Sequence, residues 1–125
     1  MDPKAERLFQ GANLIFIATV NSDGSPQLTP VWGNYEKGHI LINTAEGRIK
    51  HKNILNDNRV ALSVVDYNNP LIMTSIQGKA VQIIPDYDYE HINKLTMLYM
   101  GIKEYPYKKK NEKRITVRIK PERVF

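Results

Sequence analysis

The chain contains no cysteine, which excludes disulfides, thiolate catalysis and cysteine-based zinc sites. Histidine is scarce. His39, His51 and His91 stand apart, with no carboxylate or second histidine at metal-ligand spacing, so no metal site is expected. Long apolar runs are missing too, and with them the basis for a signal h-region or a membrane span; a cytoplasmic location is the expectation that follows. A serine-nucleophile elbow, a phosphate loop ending in Gly-Lys-Ser/Thr and a Gly-x-Gly-x-x-Gly after a strand are all absent, so acyl transfer and nucleoside-triphosphate chemistry lose support. Tryptophan occurs once, at Trp32.

What is present is an ordinary globular composition, 42% apolar and 25% charged over 125 residues. That length fits one domain, residues 1–125, able to bury roughly two thirds of the surface its unfolded form exposes. The net charge of +5 is unevenly placed. Residues 1–100 carry nine Lys or Arg against ten Asp or Glu, while residues 101–125 carry nine against three. Lys103, Lys108, Lys109, Lys110, Lys113 and Arg114 lie among Tyr105 and Tyr107, which reads as a solvated loop, as a basic, aromatic-laced nucleic-acid patch, or as a surface that faces an anionic cofactor tail. The solvated loop ranks first, because a charge run without a recognition motif is weak support for binding.

Strand and turn signals alternate along the chain. Asp2-Pro3 opens a short helix through about Gln10. Leu14 to Val20 is an apolar, β-branched run ended by Asn21-Ser22-Asp23-Gly24-Ser25, and Pro26 to Gly33 returns as the second arm of a hairpin. Glu36-Lys37-Gly38 turns the chain into a third strand, His39 to Asn43, giving a three-stranded meander. A helix to about Asn56 follows, then a β-rich run from Arg59 to Tyr67. Leu71 to Ile84 is long for a strand, and Gly78 near its middle predicts a bulge. Pro85-Asp86 starts a helix with apolar residues at Ile92, Leu95, Leu98 and Tyr99, expected to cover one barrel opening. Met97 to Met100 read as packing residues. Ile115, Val117 and Ile119 alternate with polar residues in a last strand that Pro121 is expected to stop. The sum is a mainly β chain, a six-stranded antiparallel barrel with three helices.

The segment Asn43-Thr44-Ala45-Glu46-Gly47-Arg48-Ile49-Lys50-His51-Lys52-Asn53 holds the chemistry. A strand end, a glycine turn and a helix start bring hydroxyl, amide and backbone N–H groups beside Arg48, Lys50 and Lys52, a corner suited to a phosphate. Arg48 can grip two oxygens in a fork and Lys50 adds a point charge. In Thr29-Pro30-Val31-Trp32-Gly33 the proline removes a ladder donor, placing this strand at an edge or bulge. Two readings stand equal there: Pro30 to Trp32 line the rim of a flat aromatic ligand, or Trp32 packs in a core or dimer interface. Gln77 offers an amide to a polar ring edge, or points outward from its strand.

In order, Ala18-Thr19-Val20 with Asp23-Gly24-x-Pro26-Gln27, Thr29-Pro30-Val31-Trp32, and Asn43-Thr44-x-x-x-Arg48-x-Lys50-x-x-Asn53 resemble the pyridoxamine 5′-phosphate oxidase-like split β-barrel family. Asp57-Asn58-Arg59-Val60-Ala61, Gln77-Gly78-x-Ala80 and Arg118-Ile119-x-Pro121-Glu122-Arg123-Val124 extend the similarity over nearly the whole chain. The resemblance implies a homodimer with two equivalent sites between subunits, each holding FMN or the deazaflavin coenzyme F420. Carried over, Arg48 and Lys50 bind the phosphate, Thr29, Pro30, Val31 and Trp32 border the isoalloxazine, and Asn43 and Thr44 hydrogen-bond the ring or ribityl chain. Gln77 reaches the cofactor at the interface, and Asn53 binds or shapes the phosphate corner. The chain lacks the longer C-terminal aromatic and arginine motif of true pyridoxamine-phosphate oxidases, so a small family member akin to deazaflavin-dependent reductases is expected instead. Three functions follow in order: a flavin or deazaflavin oxidoreductase acting on a small molecule, a non-catalytic flavin-binding electron carrier, and a nucleic-acid module using residues 103–114.

Overall fold

In a computed structural model, which describes residues 1–125, three helices and seven strands follow one another as α1 (Pro3–Gln10), β1 (Ile15–Val20), β2 (Pro26–Val31), β3 (Gly33–Glu36), β4 (His39–Ala45), α2 (Ile49–Asn56), β5 (Arg59–Val65), β6 (Met73–Pro85), α3 (Glu90–Met100) and β7 (Arg114–Val124). The strands form one antiparallel sheet in the order β2-β1-β5-β6-β7-β4-β3. It curls on itself as a split barrel. The two edge strands, β2 and β3, are consecutive in the chain and separated only by Trp32. The expected returning strand, Pro26 to Gly33, is therefore two strands, which gives seven rather than six and replaces the meander with two hairpins at opposite edges.

Period-two alternation supplies the core. Ile15 and Ile17 of β1, Ile40 and Ile42 of β4, Leu62 and Val64 of β5, Ile76 of β6, and Val117 and Ile119 of β7 point inward and are almost wholly buried. Each such side chain contributes roughly 1.5–3 kcal/mol on burial. Leu8 and Phe9 of α1 and Ile54 of α2 join this cluster, whereas the buried Ile92 and Leu95 of α3 do not. The helices that feed the barrel core are thus α1 and α2, and α3 packs outside it, against the turn at Trp32. The Asp2 side chain caps α1 at the amide of Lys4, with Pro3 at the first helical position.

Gly33 and Gly78 allow two close approaches. A Cβ on Gly33 would lie 2.6 Å from the Leu41 carbonyl oxygen, and one on Gly78 would lie 2.3 Å from that of Lys120. The register shifts between Gln77 and Gly78, the expected bulge, and Gly78 pairs there with Pro121. Proline therefore does not stop β7, which runs on to Val124, because the bulge needs no amide donor at that position. Pro85 ends β6 and α3 begins only at Glu90, with Asp86 accepting from the amides of His91 and Ile92 and so capping the helix from four residues upstream. No helix is long and apolar enough to cross a membrane.

Candidate functional site

The corner between β4 and α2 is built by a glycine turn, with Gly47 at φ +86°. Arg48 occupies the helix N-cap and makes no side-chain capping bond, so the first turn of α2 presents uncapped backbone amides. Lys50, one position into the first turn, points back toward the barrel mouth, where its Nζ donates to Thr29 Oγ1 at 2.7 Å. It is 9% exposed. Burial, then the nearby Arg48 and Arg114 charges, pull the Lys50 ammonium below its ordinary range. A cation held under such strain is favoured by an arriving anion.

A groove of about 300 Å³ opens at this corner, between β2 and β4. Pro30, Val31, Trp32, Asn43, Thr44, Arg48 and Lys50 line it together, and Thr29 stands behind Lys50. Thr44 Oγ1 is the one buried side-chain polar atom without a hydrogen-bond partner. A buried hydroxyl left unpaired costs roughly 1–3 kcal/mol, so the groove wall carries an unmet hydrogen-bonding group. Trp32 stacks on Tyr99, with ring centroids 5.1 Å apart and planes within 6°, and meets the edge of Tyr105. The Tyr99 hydroxyl donates to the Asn13 carbonyl and accepts from the Gly33 amide, which pins α3 to the crossing between the sheet edges. Tyr99, read from sequence as packing, is the platform that sets the tryptophan plane.

Two expected site residues lie elsewhere in the chain's own fold. Asn53 Nδ2 donates to Thr19 Oγ1 and Asn21 Oδ1, tying α2 to the first hairpin rather than lining the groove. Gln77 faces a separate cavity of about 470 Å³ beside Ala18, Ala61 and Arg59. In register it extends the row Leu28, Ala18, Ala61 on the outer face of β2, β1 and β5.

Arg114, Tyr105 and Tyr107, singled out in the sequence only as part of the basic segment, also line the groove. Arg114 falls within the basic run assigned to a solvated loop, yet it is 5% exposed and opens β7. Its Nε donates to Asn43 Oδ1 at 2.9 Å, and its guanidinium lies over the Tyr105 ring at 5.3 Å. The signal for it was the alternation of Arg114 with Ile115, Thr116 and Val117, which sets it on the sheet's polar face. Behind Asn43 the network continues. Asn43 Nδ2 donates to Asp86 Oδ2 and lies 3.1 Å from His91 Nδ1, Thr116 Oγ1 donates to His91 Nδ1 at 2.7 Å, and His91 Nε2 donates to Asn34 Oδ1. This assigns the Nε2–H tautomer to a neutral His91. Burial above all lowers its pKa to about 4, Lys94 and Arg114 add to the shift, and Asp86 and Glu36 oppose it.

The groove therefore offers three cations, one unpaired hydroxyl and a fixed aromatic rim. It can hold an anion at the helix start and a flat ring alongside β2. No side chain in it forms a nucleophile–base pair.

A solved F420 reductase aligns with 100% of this chain and 98% of its own length, at 26% identity and a TM-score of 0.89. HupZ of Group A Streptococcus aligns over 100% and 92%, at 20% identity and a TM-score of 0.69. A Lactobacillus delbrueckii protein, provisionally a pyridoxamine 5′-phosphate oxidase, aligns over 100% and 93%, at 24% identity and a TM-score of 0.64. The last two likenesses speak to the fold alone. No curated protein matches the sequence. The model of the pyridoxamine 5′-phosphate oxidase family matches residues 1–125, and with the split barrel and its ordered motifs this places the chain in that family.

Proposed function

We propose that the protein is a flavin- or deazaflavin-dependent oxidoreductase whose cofactor phosphate sits at the start of α2. The observation that carries this reading is the convergence of Arg48, buried Lys50 and the unpaired Thr44 hydroxyl on one groove bordered by Trp32. When bound, the cofactor supplies the hydride chemistry, and the protein contributes binding, orientation and electrostatics. Arg48 and Lys50 neutralise the phosphate. Thr44 and Asn43 offer polar contacts along the ring or its side chain, and the strand from Thr29 to Trp32 gives the ring an apolar border. Asn43 is held in place by Arg114 and Asp86, so its amide is oriented before any ligand arrives.

FMN is the first reading, its phosphate matched by Arg48 and Lys50. The likeness to an F420 reductase, at a TM-score of 0.89, favours the deazaflavin coenzyme as the second reading. We further propose a homodimer formed across the outer face of β1 and β2, where Phe16 and Leu28 are exposed beside small residues; Pro30 pairs with Phe16 in register and also lines the groove. A second copy on that face would bring its Gln77 toward the site. Separate titrations with FMN and the deazaflavin coenzyme, followed by fluorescence quenching, test the cofactor. Tight binding of one identifies it, and binding of neither refutes the proposal. Turnover with a panel of electron acceptors then separates an enzyme from an electron carrier.

A further inference from the structure

We propose that Glu112 is a positioning residue that holds Arg48 at the wall of the groove until a phosphate competes for it. This inference rests on the reading of Arg48 as a phosphate ligand. Glu112 lies in the segment between α3 and β7, and its carboxylate bridges two arginines from different elements. Arg48 Nη2 donates to Oε2 at 2.9 Å and Arg114 Nη1 donates to Oε1 at 3.3 Å. One carboxylate thus takes the acceptor role, with the same charge sign, that phosphate oxygens would take toward Arg48.

The two arginines differ in freedom. The Arg114 side chain is 6% exposed, with its Nε bonded to Asn43 and its plane over Tyr105, so it is fixed. The Arg48 side chain is 48% exposed and its only side-chain partner is Glu112. Glu112 itself is 11% exposed and does not line the groove, although both arginines do. The carboxylate is therefore anchored by Arg114 and engages Arg48 from behind the groove wall. Binding of a phosphate at Lys50 and the first turn of α2 exchanges one acceptor of Arg48 for another, and Arg48 is the group that moves. An ion pair whose arginine is half-exposed is screened by water, so the exchange needs only a modest driving force.

The test measures dissociation constants for FMN and for riboflavin, which lacks the phosphate, in the wild type, Glu112→Gln, Arg48→Ala and the double variant. If the deazaflavin coenzyme is the tighter ligand, it and its phosphate-free chromophore replace this pair. Releasing an exposed pair is expected to tighten FMN about threefold to fivefold in Glu112→Gln, with riboflavin unchanged, and the gain should vanish when Arg48 is already Ala. A structural role for Glu112 predicts otherwise: weaker FMN binding, or equal shifts for FMN and riboflavin. Either result, or no change, overturns the proposal. Glu112→Ser, which also removes the carboxylate, should give the same sign and covers the case of a poorly folding Gln variant. If wild type binds FMN no better than riboflavin and Arg48→Ala changes nothing, the phosphate assignment itself fails, and the positioning role with it.

Discussion

Replacing Thr44 by valine should strengthen the ligand-free protein while weakening its hold on the cofactor. The hydroxyl is buried, 1% exposed, and unpaired, so the folded chain carries its desolvation without a compensating bond. Valine keeps the shape and the β-branch that suit β4, and removes the polar atom. The hydroxyl penalty is roughly 1–3 kcal/mol, and allowing for imperfect packing of the new methyl leaves a gain of about 1 kcal/mol. With an unfolding entropy of about 2.1 cal/mol/K per residue, over 125 residues, that gain is a rise in Tm of roughly 4 °C. The same substitution deletes one neutral hydrogen bond to the ligand, about 1 kcal/mol, or roughly a fivefold weaker affinity. Urea unfolding of the ligand-free protein and a cofactor titration measure the two arms. A Thr44→Val variant that unfolds more easily by 1 kcal/mol or more, with affinity intact, would show that the hydroxyl is satisfied inside the protein and that the groove was misread.

Alanine at both Arg48 and Lys50 should cut affinity for the phosphate-bearing cofactor at least a hundredfold, since two charge-assisted contacts of about 1.5–3 kcal/mol each are lost; circular dichroism should stay native and riboflavin binding unchanged. Because burial lowers the folded pKa of Lys50, the unfolded chain binds more protons in the alkaline range below 10.5, and stability carried by this residue should rise with pH there; Lys50→Met should flatten that rise and stabilise the ligand-free protein. His91 titrates near 4 in the folded chain against 6.5 unfolded, so its contribution is full above the unfolded value and is lost as pH falls toward 4; the loss is on the order of 3 kcal/mol, and denaturant unfolding of His91→Gln should show a flatter acid limb. Gly78→Ala forces a Cβ to within 2.3 Å of a backbone oxygen, and calorimetry should find it destabilised by about 2 kcal/mol or more.

Local pattern decided much of this protein. The alternation of Ile40, Ile42, Val117 and Ile119 set which strand faces are buried, Asp2-Pro3 set the start of α1, and Gly78 marked the bulge in β6. The chemistry of Gly47-Arg48-Ile49-Lys50 was equally local, because a glycine turn opening a helix gathers its own amides and cations within a few residues. Three outcomes depended on partners distant in sequence. Trp32 breaks one apparent strand into two because its flanks pair with β1 and β4 at opposite sheet edges, and hydrogen-bond pairing is a property of both strands. Pro121 is tolerated inside β7 because Gly78 stands opposite it, 43 positions earlier in the chain. Arg114, which composition alone assigns to a solvated loop, becomes a buried cation of the groove because Asn43 and Glu112 satisfy its donors and Tyr105 covers its face. Period and turn chemistry are written along the chain, where each residue meets its neighbours; the environment of a charge is set by whatever the folded chain places against it.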